Sequence, residues 1–384
     1  MSSRSDRGPN ERLIGVPGSR TALSTPALVL DLDRLEANIA SLAVHAGDHG
    51  YAVRPVVKIH KSVEIARLQM AAGAVGVGCS TVAEAEVMVA GGITGVYLFT
   101  SVVTGPKLER LEALNAQADG VIVATDDASN VSQLAAAARR SGRPMRVLVD
   151  VEVGDRRTGT AEPATAVALA RLIQESDGLE YGGVQGYCGT HQATVDYDER
   201  YRLSMVVLDR LERFIDALQA AGLPPGIVSG GGTGSHDIDH ERGLLTEVQA
   251  GSYVVLDGNY RDVVLRRDHP HPFVPALTVR GTVISNAQSG FVITDAGAKE
   301  IDGIFAPLAP VVLDGAPSDS AYVIVGDDMG RIELPGSEVA PAVGDTVDLL
   351  PPHCYQTAIM YANYHCVRGD VLVDIWPIDG IANW

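Results

Sequence analysis

Short apolar runs recur along the first two thirds of the chain, at Val75–Cys79, Val96–Phe99, Val121–Ala124, Arg146–Val151, Gly183–Gly186, Ile227–Ser229 and Val248–Val255. Between them lie stripes such as Leu108, Leu111, Leu114 and Leu208, Leu211, Ile215, Leu218, spaced three or four apart like the buried face of a helix. Adding the run that ends at Lys58 gives eight strand candidates alternating with helices. That repetition predicts an α/β chain folded as a closed parallel (β/α)8 TIM-type barrel rather than an open doubly wound sheet. From about His271 the period changes to two, with strands expected at Leu277–Val283, Gly290–Thr294, Tyr322–Val325, Thr346–Leu350 and Val371–Ile375 and no helix between them. The expected organisation is therefore a mobile tail over 1–24, a barrel over 25–265 and a smaller all-β domain over 266–384. Strand 27–31 is open to either domain, and the charged, proline-bearing stretch Arg261–Pro272 marks the boundary.

Composition narrows the class of partner. The 384 residues carry 30 basic and 48 acidic side chains, a net charge of −18, which argues against nucleic acid or an anionic membrane and for a small-molecule ligand. Four scattered cysteines, Cys79, Cys188, Cys354 and Cys366, make no disulfide framework. Neither the polar segment Met1–Ser19 nor any later stretch is apolar enough for a signal peptide or a bilayer span, so a cytoplasmic location is expected.

The chemistry gathers where strands should end. Lys58 follows Val56 and Val57 and precedes His60 and Lys61; a lysine desolvated among valines beside other cations loses affinity for its proton and can attack a carbonyl to form a Schiff base. After the seventh strand comes Ser229, Gly230, Gly231, Gly232, Thr233, Gly234, a glycine turn with hydroxyls whose amides suit a phosphate. Gly251, Ser252 and Tyr253 follow the eighth strand, the other usual place for a phosphate cradle in such barrels. Arg157, after the fifth strand, stays charged and can serve a heteroaromatic nitrogen or an anion. Tyr187, closing the sixth with Cys188, Gly189 and His191, can stack on a ring. An imine-forming lysine, two phosphate-shaped turns and an arginine together point to pyridoxal 5'-phosphate.

On these residues the chain resembles the fold-type III pyridoxal phosphate enzymes, the alanine-racemase-like barrels. Within them it is most similar to the branch holding D-threonine aldolase and the eukaryotic-type D-serine dehydratase. Arg54, Pro55, Lys58, His60 and Lys61 match the branch pattern Arg-Pro-His-x-Lys-x-His-Lys, and the likeness continues through Asp150–Gly159, Gly186–Gly189, Ser229–Gly234, Gly251–Tyr253, Asp295–Lys299 and Pro351–Ile378. The resemblance implies an internal aldimine at Lys58, Arg157 beside the pyridine nitrogen and phosphate on the Gly230–Gly234 and Gly251–Tyr253 backbones. It also implies a homodimer whose active site lies near the interface.

The branch carries a divalent metal bound by a histidine and by an aspartate or cysteine two residues later, which makes His353 the metal candidate here and puts Tyr355 where the second ligand belongs. Tyrosine is a poor ligand for such ions. Were the segment extended, Cys354 would face away from His353. Val56 and Asp328-Met329-Gly330 are further departures from the branch. The implied reaction is retro-aldol cleavage of the Cα–Cβ bond of a D-3-hydroxy amino acid, with His60 or His191 as base. The alternatives are β-elimination or epimerisation by Cα deprotonation, and, from another class, a pyridoxal phosphate carrier without turnover.

Overall fold

The computed structural model describes residues 7–303, 308–336 and 340–381. Residues 1–6 of the expected tail, and 304–307, 337–339 and 382–384 of the expected β-domain, lie outside the described residues. The elements begin with β1 (Ala27–Asp31), α1 (Leu32–His49), β2 (Ala52–Val53), α2 (Val63–Ala71), β3 (Val77–Cys79), α3 (Val82–Ala90), β4 (Val96–Leu98), α4 (Gly105–Gln117) and β5 (Ile122–Thr125). They continue with α5 (Ala128–Ser141), β6 (Met145–Asp150), α6 (Pro163–Glu175), β7 (Leu179–Gly186), α7 (Tyr197–Ala220), β8 (Ile227–Gly230) and β9 (Glu247–Val248).

The chain divides into two compact units, and Ala40–Gly251 with Val263–Pro272 make the first. Its sheet is parallel throughout, in the order β2-β9-β8-β7-β6-β5-β4-β3. A parallel bridge from Val56 to Gly78 links the chain after β2 to β3 and brings the sheet's two ends together. This is the expected (β/α)8 TIM-type architecture. Strands β3, β4 and β5 are buried at every position, as strands covered on both faces must be, which is why they read as unbroken apolar runs. The helical stripes face inward: Leu108, Leu111, Leu114, Leu208, Leu211, Ile215 and Leu218 are all buried. Side-chain oxygens of Thr81, Asp127 and Asp196 accept first-turn amides and start α3, α5 and α7. One expected strand is mostly something else. The run Val248–Val255 contributes only β9, because the chain then leaves the ladder and coils into a 3₁₀ turn at Ser252–Val254.

The second unit comprises the described residues up to Ile39, Ser252–Asp262 and Phe273–Ile381. It adds β10 (Leu277–Ser285), β11 (Phe291–Thr294), β12 (Val311–Asp314), β13 (Ala321–Ile324), β14 (Gly330–Glu333), β15 (Thr346–Leu350), α8 (Cys354–Ala358), β16 (Asn363–Arg368) and β17 (Val371–Pro377). The sheet runs β13-β14-β11-β10-β1-β16-β17, with β15 pairing both β10 and β12. Strand β1 is antiparallel to β10 and parallel to β16, which settles which sheet holds 27–31. Two expectations need correction. A helix does intervene, α8, too short at five residues to leave a periodic signal. Residues 7–24 do not form a free tail: two 3₁₀ turns, Pro9–Leu13 and Ser19–Ala22, lie against this sheet. Leu13 and Ile14 pack on Leu23, Val29, Val367, Leu372 and Ile375, and buried Asn10 bonds the Ser24 backbone in both directions.

Candidate functional site

Strands β2, β9, β8, β7 and β6 are consecutive neighbours in a parallel sheet, so the segments that follow them share one rim. Those segments carry Lys58, Gly251, Gly230–Gly234, Tyr187 and Arg157 in that order. Residues spread over two hundred positions are brought side by side by strand order alone.

Lys58 is half-buried on a 3₁₀ turn, Val57–Ile59, that begins beyond the end of β2, and its Nζ lies 6.0 Å from the centre of the Phe99 ring. The turn is held at both ends. Before it, the Val56 amide donates to Ala250 O at 3.0 Å; after it, Lys61, at φ 52°, makes a buried ion pair with Glu84. The other Glu84 oxygen takes the Ser80 amide at 2.7 Å. Gly251 backs directly onto the turn, since a Cβ there would sit 2.7 Å from Ile59 Cγ1.

The glycine turn after β8 is shaped by two side chains that sequence reasoning missed. Gln192 Oε1 accepts the Gly234 and Ser235 amides at 2.8 and 3.1 Å, while its Nε2 donates to Ser235 Oγ at 2.8 Å. Asp239 Oδ2 accepts Ser235 Oγ at 2.9 Å and the Gly232 amide at 3.3 Å. Burial pushes the Asp239 carboxyl up to about 7. Glycine is required at Gly231, which has φ +61° and where a Cβ would lie 2.1 Å from Asp239, and at Gly234, where it would lie 1.8 Å from the Gln192 carbonyl; at Gly232 it would lie 2.7 Å from the Gln192 side-chain oxygen. Thr233 is buried within this turn. Ser229 sits elsewhere than expected. It is on β8 inside the barrel, where its Oγ accepts Gln249 Nε2 at 3.0 Å, so its side chain belongs to the interior network and not to the turn. Ser252 and Tyr253 have buried side chains in the second unit, Tyr253 with its ring 5.6 Å from that of Phe273, leaving backbone as what they could offer an anion.

Arg157 and Tyr187 do meet. The exposed guanidinium lies 5.1 Å from the centre of the tyrosine ring, with Asp155 Oδ2 3.8 Å away. Burial works to raise the Asp155 carboxyl, but the Gly189 and Thr190 amides outweigh it and hold the carboxyl low. The two histidines proposed as bases part company. His60 is sealed under α2, accepting the Ser62 amide at 3.1 Å and bonding Gln69, and burial pushes it down to about 3; these are the partners of a structural histidine. His191 has a buried Nδ1 with no hydrogen-bond partner and is pushed down to about 4, first by burial, so its ring is neutral. It lines a small cavity with Cys188, Gln192, Gly231, Ser235 and Asp239.

In the second unit, His353 has company that the sequence did not suggest. The chain turns helical at Cys354, so the alternation expected of an extended segment does not apply, and ligand atoms of Asp257, His353 and Cys354 lie within 4.8 Å of one another. Asp257 is fully buried, with Oδ1 unpartnered and Oδ2 3.7 Å from His353 Nδ1. The donor set of imidazole, carboxylate and thiol suits a borderline divalent ion. Tyr355 instead sets its ring edge-on to His353, with its hydroxyl accepting Gln356 Nε2 at 2.6 Å.

An eight-stranded parallel barrel with a lysine after its first strand and a glycine cradle after its seventh defines an alanine-racemase-like barrel, the class of fold-type III pyridoxal phosphate enzymes. Residues 30–257 match the family described as alanine racemase, N-terminal domain, and residues 276–367 match a putative serine dehydratase domain. The chain belongs to that alanine racemase N-terminal domain family, whose cofactor is pyridoxal 5'-phosphate. It is 35% identical to a D-threonine aldolase from an Arthrobacter species and 32% identical to a 3-hydroxy-D-aspartate aldolase from Paracoccus denitrificans, in each case over 94% of both chains. The crystal structure of D-threonine aldolase from Filomicrobium marinum superposes with a TM-score of 0.88 at 34% identity, covering 94% of this chain and 96% of that one. The residues present fit the cofactor: a half-buried lysine and, on the same barrel rim, an arginine set against an aromatic ring.

Proposed function

We propose that this chain is a pyridoxal phosphate-dependent lyase that cleaves the Cα–Cβ bond of a D-3-hydroxy amino acid, giving an aldehyde and glycine. The observation that carries the reading is likeness over nearly the whole chain to two aldolases of D-3-hydroxy amino acids, together with the lysine, arginine and glycine turn on one barrel rim. The Lys58 ε-amine would hold the cofactor's aldehyde carbon, Arg157 its ring nitrogen, and the Gly231 and Thr233 amides its phosphate, since the Gly232 and Gly234 amides are held by Asp239 and Gln192. The bound cofactor supplies an electron sink for the pair left at Cα. The residues do the rest. Phe99 keeps water from one side of Lys58, and the Lys61–Glu84 pair stops the turn from swinging. In this reading His191 takes the β-hydroxyl proton as the Cα–Cβ bond breaks and Cβ becomes a carbonyl, and the same proton is returned to Cα to give glycine. Asp257, His353 and Cys354 would hold the divalent ion of this reading.

A second reading, Cα deprotonation followed by loss of water, is favoured by the serine dehydratase match over residues 276–367. D-threonine and D-serine, each with and without chelator, separate the two: glycine plus aldehyde supports the aldolase and a keto acid the dehydratase. Borohydride trapping should tag Lys58. Lys58→Ala should be colourless and inactive, and a yellow, borohydride-taggable K58A protein would sink both readings. We read the active form as a homodimer, as the resemblance to the alanine-racemase-like barrels implies, and the four free cysteines suit a cytoplasmic location; no helix among the described residues is long and apolar enough to cross a membrane.

A further inference from the structure

We propose that His45, His49 and His240, in the barrel unit, bind a divalent transition-metal ion of the zinc class at a site made of residues other than Asp257, His353 and Cys354. His45 and His49 stand four apart near the C-terminal end of α1, the spacing that places two imidazoles on one helix face. His240 reaches them from the turn-rich segment between β8 and β9. The ring centres are 4.2 Å apart for His45–His49 and 3.8 Å for His49–His240, and one nitrogen from each ring lies within 4.8 Å of the others. Three neutral imidazoles are a ligand set taken by zinc and its neighbours in the transition series.

The hydrogen bonds leave the right atoms over. His49 Nδ1 lies 2.8 Å from the His45 carbonyl, and a proton shared there directs Nε2 outward, the carbonyl-oriented arrangement typical of ligating histidines. His45, only 7% exposed, bonds the His236 backbone, yet its Nε2 has no hydrogen-bond partner; nor does the buried Nδ1 of His240. Two orphaned imidazole nitrogens in one cluster are costly unless something fills the space between them. Arg266, which donates to His236 Nε2 at 2.9 Å, opposes a cation. Asp237, with Oδ1 3.7 Å from His45 Nε2, and Glu241 beside His240 oppose Arg266 in turn.

Tetrahedral ligation at about 2.1 Å sets donors roughly 3.4 Å apart, so closing the site asks only for small ring rotations. A bound ion would tie the end of α1 to the segment that carries Ser235 and Asp239, the residues shaping the glycine turn. His236, in the same segment, has Nδ1 2.7 Å from Thr233 O, so the tie reaches the turn itself.

The test counts metal. The full chain, with any histidine tag removed, carries His353→Ala to silence the other candidate set; it is stripped with chelator, then dialysed against Zn2+ or Co2+. One ion per chain should be retained, with Co2+ showing visible d–d bands, and neither Mg2+ nor Ca2+ should displace it. Adding His49→Ala, at an exposed position, should weaken retention by more than the roughly 10–100-fold that loss of an outer-shell partner costs. Adding His240→Gln instead should do the same. Equal retention in all three proteins, or none in H353A at micromolar metal, overturns the site.

Discussion

At Gly231 one missing methylene decides whether the turn exists. With φ at +61° and a would-be Cβ 2.1 Å from Asp239, alanine there must displace either the backbone or the carboxyl. Gly231→Ala should therefore cost cofactor before it costs fold, seen as lost yellow colour at unchanged helical circular dichroism. Asp239 itself makes a prediction with a definite sign. Its folded value, raised to about 7, exceeds the roughly 3.9 of an unfolded aspartate, so the folded chain holds the extra proton between those values. Stability from this group falls as pH rises from about 4 to about 7. Asp239→Asn keeps an acceptor for the Gly232 amide and Ser235 hydroxyl but cannot ionise. Its melting temperature should fall less than that of the parent between pH 5 and pH 8, and parallel curves would show that Asp239 is charged throughout. Neither Asp239 nor Gln192 was legible in the sequence. An acid four residues past a serine, and an amide forty before a glycine, carry no periodicity; only the barrel's closure sets them around one turn.

At the scale of elements, the strands were legible because parallel strands buried on both faces read as apolar runs, as β3, β4 and β5 do. What could not be read is how they are tied. Arg54, known from sequence only as the start of the lysine pattern, leaves β2 to form a bidentate buried pair with Glu247 of β9 at 2.7 and 2.8 Å, and donates to Gly95 O at 2.6 Å. The neighbouring network runs on from Tyr97 through Gln185 to Asp150 and Thr158, crossing the barrel interior from β4 toward the Arg157 segment. Glu247→Ala strands a buried guanidinium and should cost about 3–5 kcal/mol in chemical denaturation. Arg54→Met combined with Glu247→Leu removes both charges and should recover most of that loss. If the double variant is no better than the single, the pair serves geometry at the lysine turn rather than charge balance. Among helices, α8 was the one missed, and its five residues are what bring Cys354 round to Asp257 and His353.

On the scale of the whole molecule, sequence order misleads about membership. Strand β1, followed by an amphipathic helix, looks like the first βα step of the barrel series, yet its partners are β10 and β16, some 250 and 335 positions away, because pairing is chosen by which buried faces fit and not by proximity along the chain. The segment before it follows β1 into the same unit. Arg20 bonds Asp348 at 3.2 Å and its carbonyl accepts Arg280, so the buried Arg280–Asp348 pair is completed from the N-terminus. Leu23, with Leu13 and Ile14 beside it, closes the apolar cluster over β16 and β17. A polar, glycine-bearing stretch reads as a tail because its few apolar residues show no period; what holds it is Leu13, Ile14 and Leu23 on the sheet, Asn10, Ser19 and Arg20 by hydrogen bonds, and backbone bonds to Leu372 and Asp370. Deleting residues 1–24 should remove roughly 2–4 kcal/mol of apolar burial and leave the Arg280–Asp348 pair short of a partner. The sheet unit should then melt earlier, at a lower denaturant midpoint than the intact chain. Asn10→Ala alone should reproduce a smaller part of the shift. A truncated chain with the parent's midpoint would mean that the segment rests on the sheet without stabilising it.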